Sequence, residues 1–321
     1  MRTVLFGGTD LTLAVAERFA AHIAGVVTIP PTFRISYEPA GVRNLRHADV
    51  SGWADSQGIP AHEWTSADDV LPFLETIGAE WGLAAGWYYM LPRRILDRFP
   101  LGIAGVHASL LPRLRGNAPL NWAILSGTPQ TGVSLFQLTD ELDNGPLYGQ
   151  KPLRIDPHTT IGDLVAGANT AALELIGDAI AAHESPDGAQ LLRQNGQVSY
   201  GLARLPSDSR IDWRLDALSV ARLVRASSRP YAGAFTYLDE QTVRIWSGQM
   251  SGKRVSGTPG QIWLPPYGEL VVVCGDHSYE VIEATFDDGE DALPALRKAS
   301  MRRFDQPAAP TGSTMGWPTF G

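Results

Sequence analysis

Residues 3–22, "TVLFGGTDLTLAVAERFAAH", decide the fold. Thr3–Phe6 is a short apolar run, and "GGTD" (7–10) is a turn. From Asp10 onward the apolar residues recur at helical spacing. A second apolar run, "GVVTIP" (25–30), follows at once. Strand, turn, helix, strand is the start of a βαβ unit, so a parallel sheet is expected. The turn is not GxGxxG. Its glycines suit a tight turn, and they also suit a phosphate approaching a helix N-terminus.

The same alternation continues downstream. "ADDVLPFLETIG" (67–78) reads as a helix, and "WGLAAGWYYMLPRRIL" (81–96) as a strand ending in an aromatic cluster, then a short helix after Pro92. "LGIAGVH" (101–107) is another strand and places His107 at its C-terminal end. Ligands of open parallel sheets sit outside those ends. "APLNWAILSG" (118–127) is a short helix stopped by Gly127, "TGVSLFQL" (131–138) a strand and "DNGP" (143–146) a turn. Ile161, Leu164, Val165, Ala168, Ala172, Leu175, Ile176 and Ala179 share one face of a long helix. Asp156, Thr159 or Thr160 can cap it. Residues 30–47 read as a long irregular loop, a common place for binding.

The texture changes near residue 184. At roughly 150 residues per domain, the length of the chain suggests two. The boundaries fall as a catalytic domain over 1–190, a polar linker over 191–204, a second domain over 205–304 and a disordered tail over 305–321, rich in Pro and Gly. The second domain holds one helix and then short strands such as "GAFTYLD", "TVRIWSG" and "ELVVVCG", the pattern of a small β-barrel.

The 321 residues carry a net charge of -8, and from residue 200 onward 13 Lys+Arg face 14 Asp+Glu. That balance disfavours a nucleic-acid partner, which needs a basic face. The single cysteine, Cys274, rules out an internal disulfide and a cysteine zinc cluster. His62 with Glu63 and His183 with Glu184 are isolated pairs, so no metal site is expected. The N-terminal apolar run is too short for a signal peptide, and no run reaches the roughly 18 residues of a membrane span. A cytoplasmic protein without membrane contact is expected.

The chemistry concentrates in "GVHASLLPRLRGNAPLNWAILSG" (105–127) and "TDELDNGP" (139–146). A strand-end His107 and a turn Asp143 can face one crevice, where the carboxylate orients the imidazole for proton transfer. Read alone, the pair leaves open a structural histidine and a turn-forming aspartate.

Together, "HASLLPRLRGNAPLNWAILSG…TGVSLFQLTDELDNGP" closely resembles the formyltransferase family that uses 10-formyltetrahydrofolate. Its members include methionyl-tRNA formyltransferase, glycinamide ribonucleotide transformylase and N-formyltransferases of nucleotide-linked amino sugars. "SRIDWRLDALSVARLVRASSRPYAGAFTYL" (209–238) resembles the start of the C-terminal domain of the tRNA and amino-sugar members. The resemblance implies a Rossmann-like α/β catalytic domain and a small OB-like C-terminal β-barrel, the latter a possible homodimer interface. It implies His107 and Asp143 as the catalytic His and Asp, in a reaction whose oxyanion must be stabilised.

One position departs from the pattern. The family's Asn, two residues before the His, is here Gly105. Three readings follow: a substitute donor (a backbone N–H, protonated His107, Ser109, Asn117 or water), room for another substrate or acyl donor, or a weak or inactive enzyme. The resemblance further implies folate contacts from Trp87, Tyr88, Tyr89, Met90, Leu91, Asp140, Glu141 and Leu142. "GWYYM" and "RGNAPLNWAI" are closer to the amino-sugar members, so a nucleotide-linked amino deoxysugar is the expected acceptor, with methionyl-tRNA as the alternative. Arg113 and Arg115 are placed to pair with its pyrophosphate, with Tyr37 and Arg43 as weaker nucleotide contacts.

Overall fold

The computed structural model describes residues 1–35, 38–266 and 268–305. The expected tail beyond Asp305 lies outside the described residues. The chain forms two compact units, Met1–Arg204 and a second beginning at Leu205.

In the first unit, β1 (Thr3–Phe6) leads into α1 (Asp10–Arg18), and β2 (Ile23–Thr28) returns parallel to β1. There follow β3 (Thr32–Ile35), β4 (Glu38–Arg43), α2 (Val50–Ser56), β5 (Ala61–Glu63), α3 (Ala67–Ile77), β6 (Trp81–Ala84), α4 (Arg93–Leu96) and β7 (Ile103–His107). After β7 come β8 (Arg115–Gly116), α5 (Pro119–Ser126), β9 (Gln130–Gln137), β10 (Leu147–Arg154), α6 (Ile161–Glu184) and β11 (Tyr200–Gly201). The main sheet runs β10-β9-β7-β6-β1-β2-β5. The strands from β7 to β5 are parallel; at the other edge β9 runs antiparallel to β7, and β10 antiparallel to β9.

All four residues of β1 and of β6 are buried, as a parallel sheet covered on both faces requires. One face packs Val4, Phe6 and Val27 against Val70, Leu74, Ile95 and Phe99. α6 packs on β9 and β10. It is long and apolar enough to cross a membrane, but half of that stretch is buried inside the protein, including Leu164, Ala168, Leu175 and Ile176. Thr160 caps it in a box with Asp163, which satisfies N–H groups left over by the first turn.

Two sequence expectations change. Residues 30–47 contain the antiparallel pair β3 and β4, with Phe33 opposite Val42, in place of an irregular loop. Phe33 is buried against Tyr88, an apolar anchor for the pair. Residues 191–204 are not a loose linker. Leu192 exchanges two main-chain hydrogen bonds with Leu147, and β11 pairs with β8. The segment looks polar because the main chain makes its contacts.

The second unit contains α7 (Ala217–Ser227), β12 (Ala234–Leu238), β13 (Gln241–Met250), β14 (Ile262–Trp263), β15 (Val271–Val273), β16 (Ser278–Phe286) and α8 (Leu293–Lys298). Its strands form an antiparallel sheet in the order β12-β13-β16-β15-β14. α7 packs on β13 and β16 and buries Val220 and Val224. Cys274 is buried, and burial pushes its thiol up to about 12, so it is not a thiolate nucleophile near neutral pH.

Candidate active site

β7 carries His107 to the end of the parallel strands, where its side chain is nearly buried. Nδ1 lies 3.5 Å from Asp143 Oδ2. Nε2 lies 2.8 Å from the Leu114 carbonyl oxygen. Both ring nitrogens therefore face oxygen acceptors, and the Phe136 ring stands edge-on at 6.5 Å. The structure thus brings the two sequence motifs together.

Asp143 sits in the turn after β9, with φ of 47°, a conformation that Asp tolerates better than most residues. Its Oδ2 also accepts the Gly116 N–H at 2.7 Å. At Gly145, a Cβ would stand 1.6 Å from the Gln137 carbonyl oxygen. Only glycine lets this turn close so tightly.

The loop after His107 is fixed from beneath by Ser134, a fully buried residue of β9. Its hydroxyl donates to Ser109 O at 2.6 Å and accepts from the Leu111 N–H and the Gln150 amide. Sequence reasoning passed over Ser134. The signal was there, a hydroxyl in an otherwise apolar strand. Leu114 has φ of 53°; its N–H donates to Ser199 Oγ at 2.9 Å, while its carbonyl holds His107.

Gly105 shares a face of β7 with His107, two residues on. A Cβ at Gly105 would lie 2.5 Å from Leu138 Cδ2 and 3.2 Å from Phe136 Cε1. The space beside Gly105 is filled by an apolar side chain. Of the substitute donors, Ser109 is withdrawn: it is buried, and its hydroxyl donates to Arg113 O at 2.5 Å. Asn117 is exposed on the same loop, its main-chain N–H bonded to Gly201 O.

The folate candidates divide. Leu91 is core, and Trp87 packs against that core among Phe6, Trp64 and Tyr89. Tyr88 is exposed and donates to Asn44 Oδ1. The Tyr89 hydroxyl donates to Arg34 O, and burial raises its pKa. Met90, Asp140, Glu141 and Leu142 are exposed. Arg93 Nη1 stands 3.9 Å from Asp140 Oδ2, joining the start of α4 to the turn after β9.

The acceptor candidates divide too. Arg113 and Arg43 are exposed, and Tyr37 lies outside the described residues. Arg115 is a correction. Its side chain is buried, and Nη2 donates to Gln194 Oε1 at 2.6 Å and to Asn144 Oδ1. A buried guanidinium needs such partners, and here they take it away from a pyrophosphate.

Residues 18–180 match the family model described as formyl transferase, and residues 205–295 match the formyl transferase C-terminal domain. The methionyl-tRNA formyltransferase of Roseobacter denitrificans is 32% identical over 289 residues, covering 88% of this chain and 90% of that protein. Among solved structures, HypX from Aquifex aeolicus in complex with tetrahydrofolic acid aligns with a TM-score of 0.64 at 14% identity, over 89% of this chain and 44% of that one. This chain therefore spans less than half of HypX. An N-formyltransferase from Helicobacter canadensis, in complex with folinic acid and dTDP-3-aminofucose, aligns with a TM-score of 0.65 at 13% identity, over 89% of this chain and 100% of that one. At such identities the solved structures speak to the fold alone. With both domain models matched in order and a 32% identical relative covered over most of its length, the chain belongs to the formyl transferase family.

Proposed function

We propose that the chain transfers a formyl group from 10-formyltetrahydrofolate to the amine of methionyl-tRNA. The acceptor rests on the 32% identity to a methionyl-tRNA formyltransferase, over 88% of this chain and so across both units. The nucleotide-linked amino sugar favoured by the sequence becomes the second reading, supported by the 13 basic against 14 acidic residues beyond residue 200.

A pterin needs apolar walls with a few polar groups. We assign the apolar wall to exposed Met90 and to Leu138, and the polar edges to the main chain of the turn after β9. The Trp87 indole N–H is buried without a partner. These residues fit the group, and Met90, Leu138 and the Asp140–Leu142 turn are the ones to hold it. When bound, 10-formyltetrahydrofolate supplies the activated formyl carbon.

The chain must move two protons: one off the attacking amine and one onto the departing nitrogen. Asp143 takes the Gly116 N–H and the imidazole on the same oxygen, Oδ2. Oδ1 is the oxygen presented to an incoming amine. His107, oriented by Asp143 on one side and Leu114 O on the other, carries the second proton. With Gly105 in the Asn position, the Ser109 hydroxyl is committed to Arg113 O and is not the donor for the formyl oxygen.

The test is formylation of methionyl-tRNA by the purified protein with 10-formyltetrahydrofolate, read as formylmethionine and tetrahydrofolate release. A tRNA acceptor predicts binding that weakens steeply with salt. Formylation of nucleotide-linked amino sugars, with methionyl-tRNA untouched, would replace the first reading by the second.

A further inference from the structure

We propose that Gln194 is a positioning residue for the catalytic carboxylate, clamping the Asp143 turn against the loop that holds His107. The inference rests on the reading of His107 and Asp143 as the reacting pair. Gln194 belongs to the segment that follows α6, far in sequence from both motifs. Its Nε2 donates to two carbonyl oxygens, Asp143 O and Gly145 O, each at 2.8 Å. Its Oε1 accepts from Arg115 Nη2 at 2.6 Å, and the same Nη2 donates to Asn144 Oδ1. Three consecutive residues of the turn, Asp143, Asn144 and Gly145, are gripped from outside by this Gln–Arg pair.

The two ends of the pair act on different halves of the site. Arg115 stands directly before Gly116, whose N–H binds the Asp143 carboxylate, and directly after Leu114, whose carbonyl holds the imidazole. The backbone around Gln194 is tied to the same two places. Leu192 is bonded to Leu147 beyond the turn, and Ser199 and Gly201 are bonded to Arg115 and Asn117. Residues 192–201 form a strap across both loops, with Gln194 as its side-chain contact to the turn.

The chemistry demands an amide. Two carbonyls need donors and the guanidinium needs an acceptor, and glutamine offers both from one planar group. A leucine of similar volume offers neither. A glutamate keeps the pair with Arg115 but sets oxygen against two carbonyl oxygens.

The experiment uses the full chain with Gln194→Leu, Gln194→Glu and Asp143→Asn. Hydrogen exchange at the Gly116 amide, which needs no acceptor, reports whether the carboxylate stays in place. Turnover with methionyl-tRNA and 10-formyltetrahydrofolate reports the chemistry. Both Gln194 variants should speed Gly116 exchange about tenfold or more and lower kcat by a similar factor. KM for 10-formyltetrahydrofolate should stay near wild type, and the acid limb of the pH profile of kcat/KM should shift. Gly116 exchange and kcat at wild-type values in Gln194→Leu overturn the proposal, as does a loss confined to KM. Full activity in Asp143→Asn would instead overturn the reading of the reacting pair, and the proposal with it.

Discussion

Gly105→Asn restores the side chain that the family pattern places two residues before the catalytic His, and the structure predicts that it fails alone. The new Cβ would stand 2.5 Å from Leu138 Cδ2 and 3.2 Å from Leu138 Cγ and Phe136 Cε1. Carbon–carbon contact is optimal near 3.5–4.0 Å, so the Leu138 methyl must withdraw by about 1 Å or more. Its backbone cannot follow easily, because the Leu138 N–H is bonded to Ile103 O at 2.7 Å. Overpacking of this kind costs about 1–3 kcal/mol. For a unit of this length, a 2 kcal/mol loss lowers Tm by about 4–8 °C. Against that stands the worth of an amide donor aimed at a developing oxyanion, about 2.7–4 kcal/mol. The gain is realised only with the amide in place, so Leu138→Ala must make the room. The assay is a double-mutant cycle on wild type, Gly105→Asn, Leu138→Ala and the double variant, read by thermal unfolding and by kcat/KM for 10-formyltetrahydrofolate. Gly105→Asn should lose both stability and activity. The double variant should recover stability beyond the sum of the single losses, by about 0.5–3 kcal/mol, and exceed Leu138→Ala in kcat/KM by about tenfold or more. A Gly105→Asn protein with wild-type Tm and raised activity, or a strictly additive cycle, would refute the claim that Leu138 fills the Asn's place.

Three other outcomes are expected. His107→Ala should cut formyl transfer by about 10²–10⁴-fold while tetrahydrofolate binding, followed by tryptophan fluorescence, persists; parallel loss of both would assign His107 to binding. Ser134→Ala strips partners from Ser109 O, Leu111 N–H and Gln150, and should cost about 1–3 kcal/mol in urea unfolding; a loss below about 0.5 kcal/mol would show that the loop does not depend on that hydroxyl. In the second unit, the Ala217 N–H and then the His277 hydrogen bond hold the Asp276 carboxyl down at about 2, below an unfolded value of about 3.9. Its stabilising contribution is therefore complete above about pH 4 and is lost as pH falls toward about 2. Asp276→Asn should flatten that acid limb in unfolding curves, and an unchanged limb would show that other carboxylates carry it.

The sequence makes local features legible. The βαβ start, β7 with His107 at its end, and the glycine-closed turn at Asp143 depend on neighbours within a few residues, where period and turn chemistry speak. Leu138 is different. The sequence shows that Gly105 lacks a side chain, but what fills the gap arrives from the far end of β9. Arg115 reads as a loop arginine open to solvent, because a buried guanidinium is recognised only by its partners, here Asn144 and Gln194. Residues 191–204 read as a linker for a related reason. Their bonds span 51 residues to Asp143 and 85 to Leu114, and short main-chain pairing leaves no hydrophobic period.

The strained residues explain why such distant bonds are needed. Leu114, Ala118 and Asp143 all have φ near +50° without being glycine, and all lie in the two loops of the site. A left-handed residue costs about 1–2 kcal/mol, so each loop relaxes unless its surroundings over-determine it. At Leu114 the Ser199 hydroxyl fixes the N–H while the carbonyl is aimed at His107. At Asp143 the Gln194 amide fixes the carbonyl while the carboxylate is aimed at His107. The same strap thus restrains two of the three, Leu114 and Asp143, the two residues that meet the imidazole. Removing the strap would leave His107 on its strand and in its core. It would lose both acceptors, and with them the orientation on which the proposed proton transfer depends.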